Sequence, residues 1–415
     1  LPDRTIPGDG ARTRLVLYAL MTSLTAVSID AILPGLRAIE SSLGAHPPLE
    51  AHHVVSLFVF GMVFGELVMG PLSDAVGRKA ALVAGLGVYV LGTLVALTAM
   101  SFEGVLLGRV LQGVGVAGPK IATRAMIRDR FEGDAMARVM SFMFTLFILV
   151  PMVAPALGQG IVAVAGWRGV FVMYLVLALG LGAWMMLGHP ETLPPERRIP
   201  IRPGILLANA ARILAHRRVV GLIAATGCVF GAQLFYLGIA AQLFFDAYGV
   251  DAGFPVLFAI LASGIGLASY ANGMFVERFG ADAMARIGFV GLCVASAAML
   301  AACALTEGPL PLAAFMGLGL AVFLAIGILF GNLNAMTMRS LGAVAGIGSS
   351  LLASGSSLVA ALFALVAGSF YAGEVAVVAG AFLLAGCLGL ALTEIALRSD
   401  DRPVAAAGAA SRPEA

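Results

Sequence analysis

Long apolar runs, each separated from the next by a short polar interval, repeat along nearly the whole chain. As helices rising 1.5 Å per residue, runs of about 20 residues match the hydrocarbon thickness of a bilayer. The pattern predicts twelve spans, at 15–36, 54–72, 80–100, 105–126, 139–164, 167–187, 219–244, 254–275, 287–305, 312–334, 343–370 and 375–397. Only helices, among open-ended elements, can satisfy all their backbone polar groups inside hydrocarbon. The fold class expected is therefore an all-α membrane protein of twelve transmembrane helices.

One interruption is longer than the rest. Residues 189–218 hold five prolines and six arginines with little hydrophobic periodicity, apart from a surface helix near 206–214. This reads as a cytoplasmic linker between two six-helix bundles, 15–188 and 219–397. The ends, 1–14 and 398–415, read as cytoplasmic tails, the second disordered. A weak internal repeat supports the halving: the spacing of Gly70, Asp74 and Gly77 recurs at Gly273, Glu277 and Gly280. Repeat-built transporters hold substrate between their repeats and alternate access by rocking one against the other.

Composition agrees. Hydrophobic residues make up 60% and charged residues 12%, and the mean hydropathy is +1.00. These values exclude an ordinary soluble protein. The net charge of +2 says little, but its distribution says more. Of the 25 Lys and Arg, all but Arg37, Arg168, Arg109, Lys120 and, at the inner end of its span, Arg124 fall in the tails or the even-numbered connections. That asymmetry puts both termini in the cytoplasm. Cys228, Cys293, Cys303 and Cys387 lie in apolar runs without metal-ligand spacing and read as buried, reduced packing residues. The first run is too long for a signal peptide and carries Asp30, so it reads as a retained helix. The chain begins with Leu rather than Met, so a few residues are expected to precede it.

The polar gap between the second and third spans is GPLSDAVGRK, Gly70 to Lys79. Gly70 suits a close helix approach and Gly77 a tight turn, while Asp74 and Arg78 are oppositely charged one helical turn apart. Four further ionisable residues fall well inside spans: Asp30, Glu66, Arg109 and Lys120. Each would cost roughly 2.5–3.5 kcal/mol at a helix centre, so they must face protein or a wet cavity. Counting residues from the membrane faces sets Asp30 level with Arg109 and Glu66 level with Lys120. Two acid–base pairs along one path are expected, serving either as structural ion pairs or in proton coupling. A carboxylate that changes partner as a cavity opens can change protonation too. Asp30 leads for that role, because it lies near the midplane with Pro34 one turn on.

The gap resembles the signature loop of the major facilitator superfamily (MFS). LLGRVLQGVGVAG, Leu106 to Gly118, is similar to that family's fourth-helix motif, which makes Arg109 the counterpart of an arginine linked to proton transfer. VPMVAPALGQG, Val150 to Gly160, resembles its antiporter motif, carried here by Pro151, Pro155 and Gly158. Three further stretches resemble the bicyclomycin/chloramphenicol-resistance (Bcr/CflA) drug/proton antiporters: SIDAILPGL from Ser28, MIRDR from Met126 and GWRGVF from Gly166. Asn272 and GNLNAMTM, Gly331 to Met338, fit that group as well. Glu66 stands where the group usually has glutamine, and Lys120 is also a departure. The resemblance implies two pseudo-symmetric six-helix bundles, the MFS fold, with the first, fourth, seventh and tenth helices lining a cavity. Gly70, Asp74, Gly77, Arg78 and Lys79, with Pro151, Pro155 and Gly158, would then be the gating motifs. Asp30, Arg109 and Glu66 would couple protons, Glu66 serving alternatively in a cytoplasmic gate, and Asp30, Arg109, Lys120, Gln233, Tyr236 and Asn332 would contact substrate, although Gln233 and Tyr236 equally suit helix–helix hydrogen bonds.

Phe230, Phe235, Phe244 and Phe245 suit either an aromatic wall or simple packing. The Gly/Ser cluster of the eleventh span, Gly346 to Ser357, suits close helix contact, since no histidine lies within a span to activate a serine. No HExxH, CxxC or Walker loop occurs. The expectation is thus a non-enzymatic, monomeric, multi-pass protein of a bacterial inner membrane, with no metal, cofactor or nucleic-acid partner. Driven by the proton gradient, it would export a small amphipathic drug or metabolite. The alternative is a metabolite carrier or symporter for a polar or anionic solute.

Overall fold

The computed structural model describes residues 9–44, 46, 49–131, 133–306, 310–341 and 345–399. Most of the expected tail at 398–415 lies outside the described residues. Among the described residues thirteen α-helices follow one another: α1 (Asp9–Asp30), α2 (Leu36–Leu43), α3 (His53–Val76), α4 (Arg78–Thr98), α5 (Phe102–Arg130), α6 (Gly133–Gly188), α7 (Pro203–Ala215), α8 (Arg217–Gln242), α9 (Phe254–Phe279), α10 (Ala281–Leu305), α11 (Leu312–Leu341), α12 (Ala345–Gly368) and α13 (Val375–Leu397). Helix α6 is two predicted spans run together, divided where Gly166 leaves helical geometry at φ 65°, ψ −179°. Counting it twice, with α1–α2 as one span and the short α7 set aside, the twelve expected spans are all present.

By length and composition alone, ten described helices can cross a membrane. The count falls short because the two spans of α6 are taken together and because Arg109, Lys120 and Arg124 interrupt the apolar run of α5. Other expectations need correcting. Helix α1 begins at Asp9, so residues 9–14 are helical rather than tail. Of the cysteines only Cys228 is buried; Cys293 and Cys303 are half-buried and Cys387 is exposed. The Cys293 and Cys387 thiols lie 3.9 Å apart.

The main departure lies in the first span, expected to run unbroken to residue 36. It stops at Asp30, passes through a 3₁₀ turn at Leu33–Gly35 and resumes as α2. Pro34 is the cause. It has no N–H to return to the carbonyl of Asp30, four residues earlier, and its ring crowds that carbonyl. The last backbone bond of α1 runs from Ala31 N–H to Val27 O, at 3.0 Å. The carbonyls that follow must find donors elsewhere.

The chain groups into two compact units, 1–200 with 235–263 and 201–234 with 264–415. The division thus runs through α8 and α9 as well as the linker. In the first unit small residues set the helix spacings. A Cβ on Gly113 of α5 would fall 1.9 Å from the Phe58 carbonyl of α3. One on Gly158 of α6 would fall 1.9 Å from the Ala31 carbonyl, at the break in the first span. Pro151 and Pro155 lie inside α6 ahead of that contact. In the second unit Ile213, Val219, Ile223, Leu341, Leu351 and Leu352 form a core beneath α7.

A side chain at 158 cannot fit without moving α6 off α1. Gly158→Val should lower stability by at least about 1–3 kcal/mol, read as an earlier thermal transition of the detergent-solubilised protein.

Candidate functional site

Arg109 is fully buried in α5, yet among the described residues no carboxylate pairs with it. Its Nη2 donates to the Ser28 carbonyl at 2.9 Å, its Nε to the Val54 carbonyl at 2.9 Å and its Nη1 to Gln112 Oε1 at 2.8 Å. The guanidinium also lies 4.3 Å from the centre of the Phe58 ring. Gln112 Nε2 passes the network on to Thr93 Oγ1 in α4, at 2.8 Å. The Ser28 carbonyl is one of those released by the helix break. It accepts a second bond from Tyr174 OH of α6 at 3.2 Å. The Ser28 hydroxyl meets Tyr89 OH of α4 at 2.7 Å. A cation at the C-terminal end of α1 also suits the negative end of that helix's dipole.

Asp30 is the last residue of α1 and is 3% exposed. The expected Asp30–Arg109 ion pair does not form: the described residues supply no hydrogen bond or ion pair to this carboxyl. The two are neighbours all the same. Arg109 holds the carbonyl two residues before Asp30, and Tyr174 lies within electrostatic reach of both. Backbone carbonyls take donors that the carboxylate was expected to receive.

The second expected pair does form. Lys120 Nζ meets Glu66 Oε1 at 2.5 Å, with Glu66 fully buried and the Lys120 side chain 18% exposed. Arg124, one turn further along α5 and exposed, is also within electrostatic reach of Glu66.

The signature loop is a hub of bonds. Arg78 pairs with Asp74 one turn back, donates from Nε to Asp129 Oδ2 at 3.0 Å and reaches Ser73 Oγ at 3.2 Å. Gly77 sits at φ 109°, ψ 154°, a backbone conformation open to glycine alone. A Cβ there would meet Glu191 Oε2 at 2.6 Å. The Glu191 carboxylate accepts the N–H groups of Arg78 and Lys79, each at 3.0 Å, and so caps the start of α4. It also accepts those of Thr192 at 2.8 Å and Leu193 at 3.0 Å. Lys79 Nζ donates to the carbonyls of Met186 at 2.9 Å and His189 at 2.8 Å, covering the end of α6. Gly70 is half-buried within α3.

The family model of the Major Facilitator Superfamily matches residues 18–364. The chain belongs to the Major Facilitator Superfamily. It is 28% identical over 342 residues to a bicyclomycin resistance protein homolog of Haemophilus influenzae, covering 82% of this chain and 85% of that protein. It is also 28% identical over 272 residues to the multidrug resistance protein MdtL of Salmonella heidelberg, covering 64% and 68%. In fold it is similar to a D-xylose–proton symporter, with a TM-score of 0.73 at 14% identity, covering 95% of this chain and 98% of that one. This MFS protein is thus a multi-pass transporter rather than an enzyme, and small molecules and the bilayer are its partners.

GWRGVF has a structural job in the transporter. After the turn at Gly166, Trp167 Nε1 donates to Ser42 Oγ at 2.9 Å, and Arg168 Nη2 to the Ala99 carbonyl at 2.9 Å, at the end of α4. Also in the first unit, Arg37 pairs with Asp246 at 2.8 Å, and Gln159 Nε2 donates to the Asp251 carbonyl at 2.9 Å. The His52 side chain packs where a Cβ on Gly238 would come within 3.1 Å. Burial and then its neighbour His53 push the His52 imidazole down to about 4. It is therefore neutral near pH 7.

The remaining candidates are divided between the units. Tyr236, in the first, is buried with its ring nearly parallel to Phe258 at 6.3 Å. Phe244 and Phe245 pack on Phe254, as the packing alternative expects. In the second, Gln233 is half-buried on α8. Asn332 Nδ2 donates to Asn272 Oδ1 and to the Ile328 carbonyl, each at 2.7 Å, and Phe230 pairs edge-on with Phe330. Sequence reading missed Ser28, Tyr89, Thr93, Tyr174 and Glu191. Two tyrosines within apolar spans were the available signal, since a buried phenol needs a partner.

Two substitutions test the networks. Arg109→Lys cannot serve three diverging acceptors with one ammonium, so at least one of these charge-assisted bonds is lost and stability should fall by about 1–3 kcal/mol in thermal unfolding. Lys120→Met should cost up to about 3–5 kcal/mol by leaving Glu66 buried without its partner. Adding Glu66→Gln should recover part of that loss, as a double-mutant cycle would read out.

Proposed function

We propose that this chain is a proton-coupled antiporter of a bacterial inner membrane, exporting a small amphipathic compound by alternating access. The observation that carries the reading is the contrast between its two buried acids. Glu66 has a cation 2.5 Å away, which ties its charge state to that partner. Asp30 is enclosed to 3% exposure, and among the described residues no cation is bonded to it, so a proton can come and go without breaking an ion pair. Pro34 keeps the helix open beside it, and Arg109 and Tyr174 hold the adjoining Ser28 carbonyl.

In this reading Asp30 takes a proton from the outer compartment, and the neutral carboxyl then permits the change of access. Release to the cytoplasm restores the carboxylate, and substrate competes for the same place. Arg109 positions Asp30 by fixing the end of α1. Glu66 and Lys120 serve as a gate pair on the cytoplasmic side, with Lys120 also available to a polar group of the substrate. Tyr236 in its unit and Gln233 and Asn332 in theirs are candidate substrate contacts. The loop from Gly70 to Lys79, with Pro151, Pro155 and Gly158, supports the gating movement. Both termini are cytoplasmic on the distribution of Lys and Arg, and the working unit is a monomer with no cofactor beyond the proton gradient. Export of a drug-like compound is favoured by the resistance proteins among the relatives.

Asp30→Asn tests the assignment. In proteoliposomes with an imposed pH gradient, the variant should lose gradient-driven transport while keeping the parent's thermal transition. Substrate-induced proton release from the solubilised protein should vanish as well. Release equal to the parent's would remove Asp30 from the coupling step.

A further inference from the structure

Helix α7 has two apolar sides. With one, Ile213 and Ala210 pack against the core formed by Val219, Ile223, Leu341, Leu351 and Leu352. Away from that core Leu207 is 70% exposed and Leu214 59% exposed. Seven residues apart, these two fall on the same side of the helix two turns apart. Ile201 and Ile205, at the start of the helix, are also exposed. Such a grouping on a short helix outside the spans is unexpected if water covers it.

Along the chain the charges that flank it have one sign. Arg202 precedes α7, Arg212 lies in its last turn and Arg217 opens α8, and all three are exposed. No Asp or Glu occurs between Glu196 and Asp246. Position is fixed by continuity: only His216 separates α7 from α8, and α8 is long and apolar enough to cross the membrane. Helix α7 therefore lies where a spanning helix leaves the bilayer. Exposed aliphatic side chains flanked by basic residues at that depth match a helix lying in the interface, where bases draw anionic headgroups.

We propose that α7 lies in the headgroup layer, inserts Leu207 and Leu214 among acyl chains and gathers anionic phospholipid with Arg202, Arg212 and Arg217. This would make transport sensitive to the lipid charge around the linker. It depends on the spanning topology and is independent of substrate, direction or proton coupling.

The test uses full-length protein carrying Leu207→Trp, reconstituted in mixed phosphatidylcholine/phosphatidylglycerol vesicles. The parent's emission, with Trp167 and Trp184 in common, is subtracted. The added tryptophan should emit to the blue of a water-exposed indole and be quenched about twofold or more by brominated acyl chains. Water-like emission without quenching would overturn the insertion. Should Leu207→Trp fail to fold, Leu214→Trp reads the same side. Energy transfer to dansyl-labelled phosphatidylglycerol should exceed transfer to dansyl-labelled phosphatidylcholine several-fold, and fall to near parity when Arg202, Arg212 and Arg217 are all changed to Gln. Equal transfer to both lipids before that change would overturn the anionic assignment. A preference that survives it would overturn the role of the three arginines.

Discussion

Within hydrocarbon a backbone carbonyl cannot turn to water, and the first half of this transporter is organised around that constraint. Pro34 ends α1 at Asp30 and leaves the carbonyl of Ser28 in need of donors. Arg109 from α5 and Tyr174 from α6 provide them. The guanidinium's other donors reach the Val54 carbonyl on α3 and, through Gln112 and Thr93, the side of α4. One buried cation thereby joins the helices around the broken one. Gly158 leaves the space that lets α6 close on the same point. Local chain chemistry at residue 34 thus decides the packing of distant helices.

The same arrangement separates the fates of two carboxyl groups. A guanidinium spent on carbonyls and an amide keeps its charge solvated by dipoles, and among the described residues the nearby acid has no counter-ion. Farther along α5 the compact ammonium of Lys120 pairs directly with Glu66. The difference between planar fork and point charge accounts for both outcomes.

The spans were legible because the bilayer demands apolar runs of fixed length, and the signature loop because charges and glycines at that spacing stand out against such runs. The break after Asp30 was less so: Pro34 was visible, but a proline within an apolar run reads equally as a kink inside a continuing helix. The acid–base pairing at Asp30 was misjudged because residue counting gives height along a helix and neither the direction of a side chain nor its competing acceptors. Glu191 was passed over because an acid beyond the end of a span resembles any solvated loop charge. Its partners are backbone N–H groups more than a hundred positions earlier, which carry no mark in a sequence. The cysteines were judged by the apolar character of their helices, although half of a membrane helix faces lipid.

That carboxylate of Glu191 has a mechanical meaning. It grips the first residues of α4, while the ammonium of Lys79 grips the last carbonyls of α6 in return. The two ends are stapled crosswise, Lys79 of α4 closing the end of α6 and Glu191, just past α6, closing the start of α4. A torque applied to the loop after α3 must then pass directly into the segment leading to the linker. The hairpin and the last helix of the first half turn together, as parts of one lever.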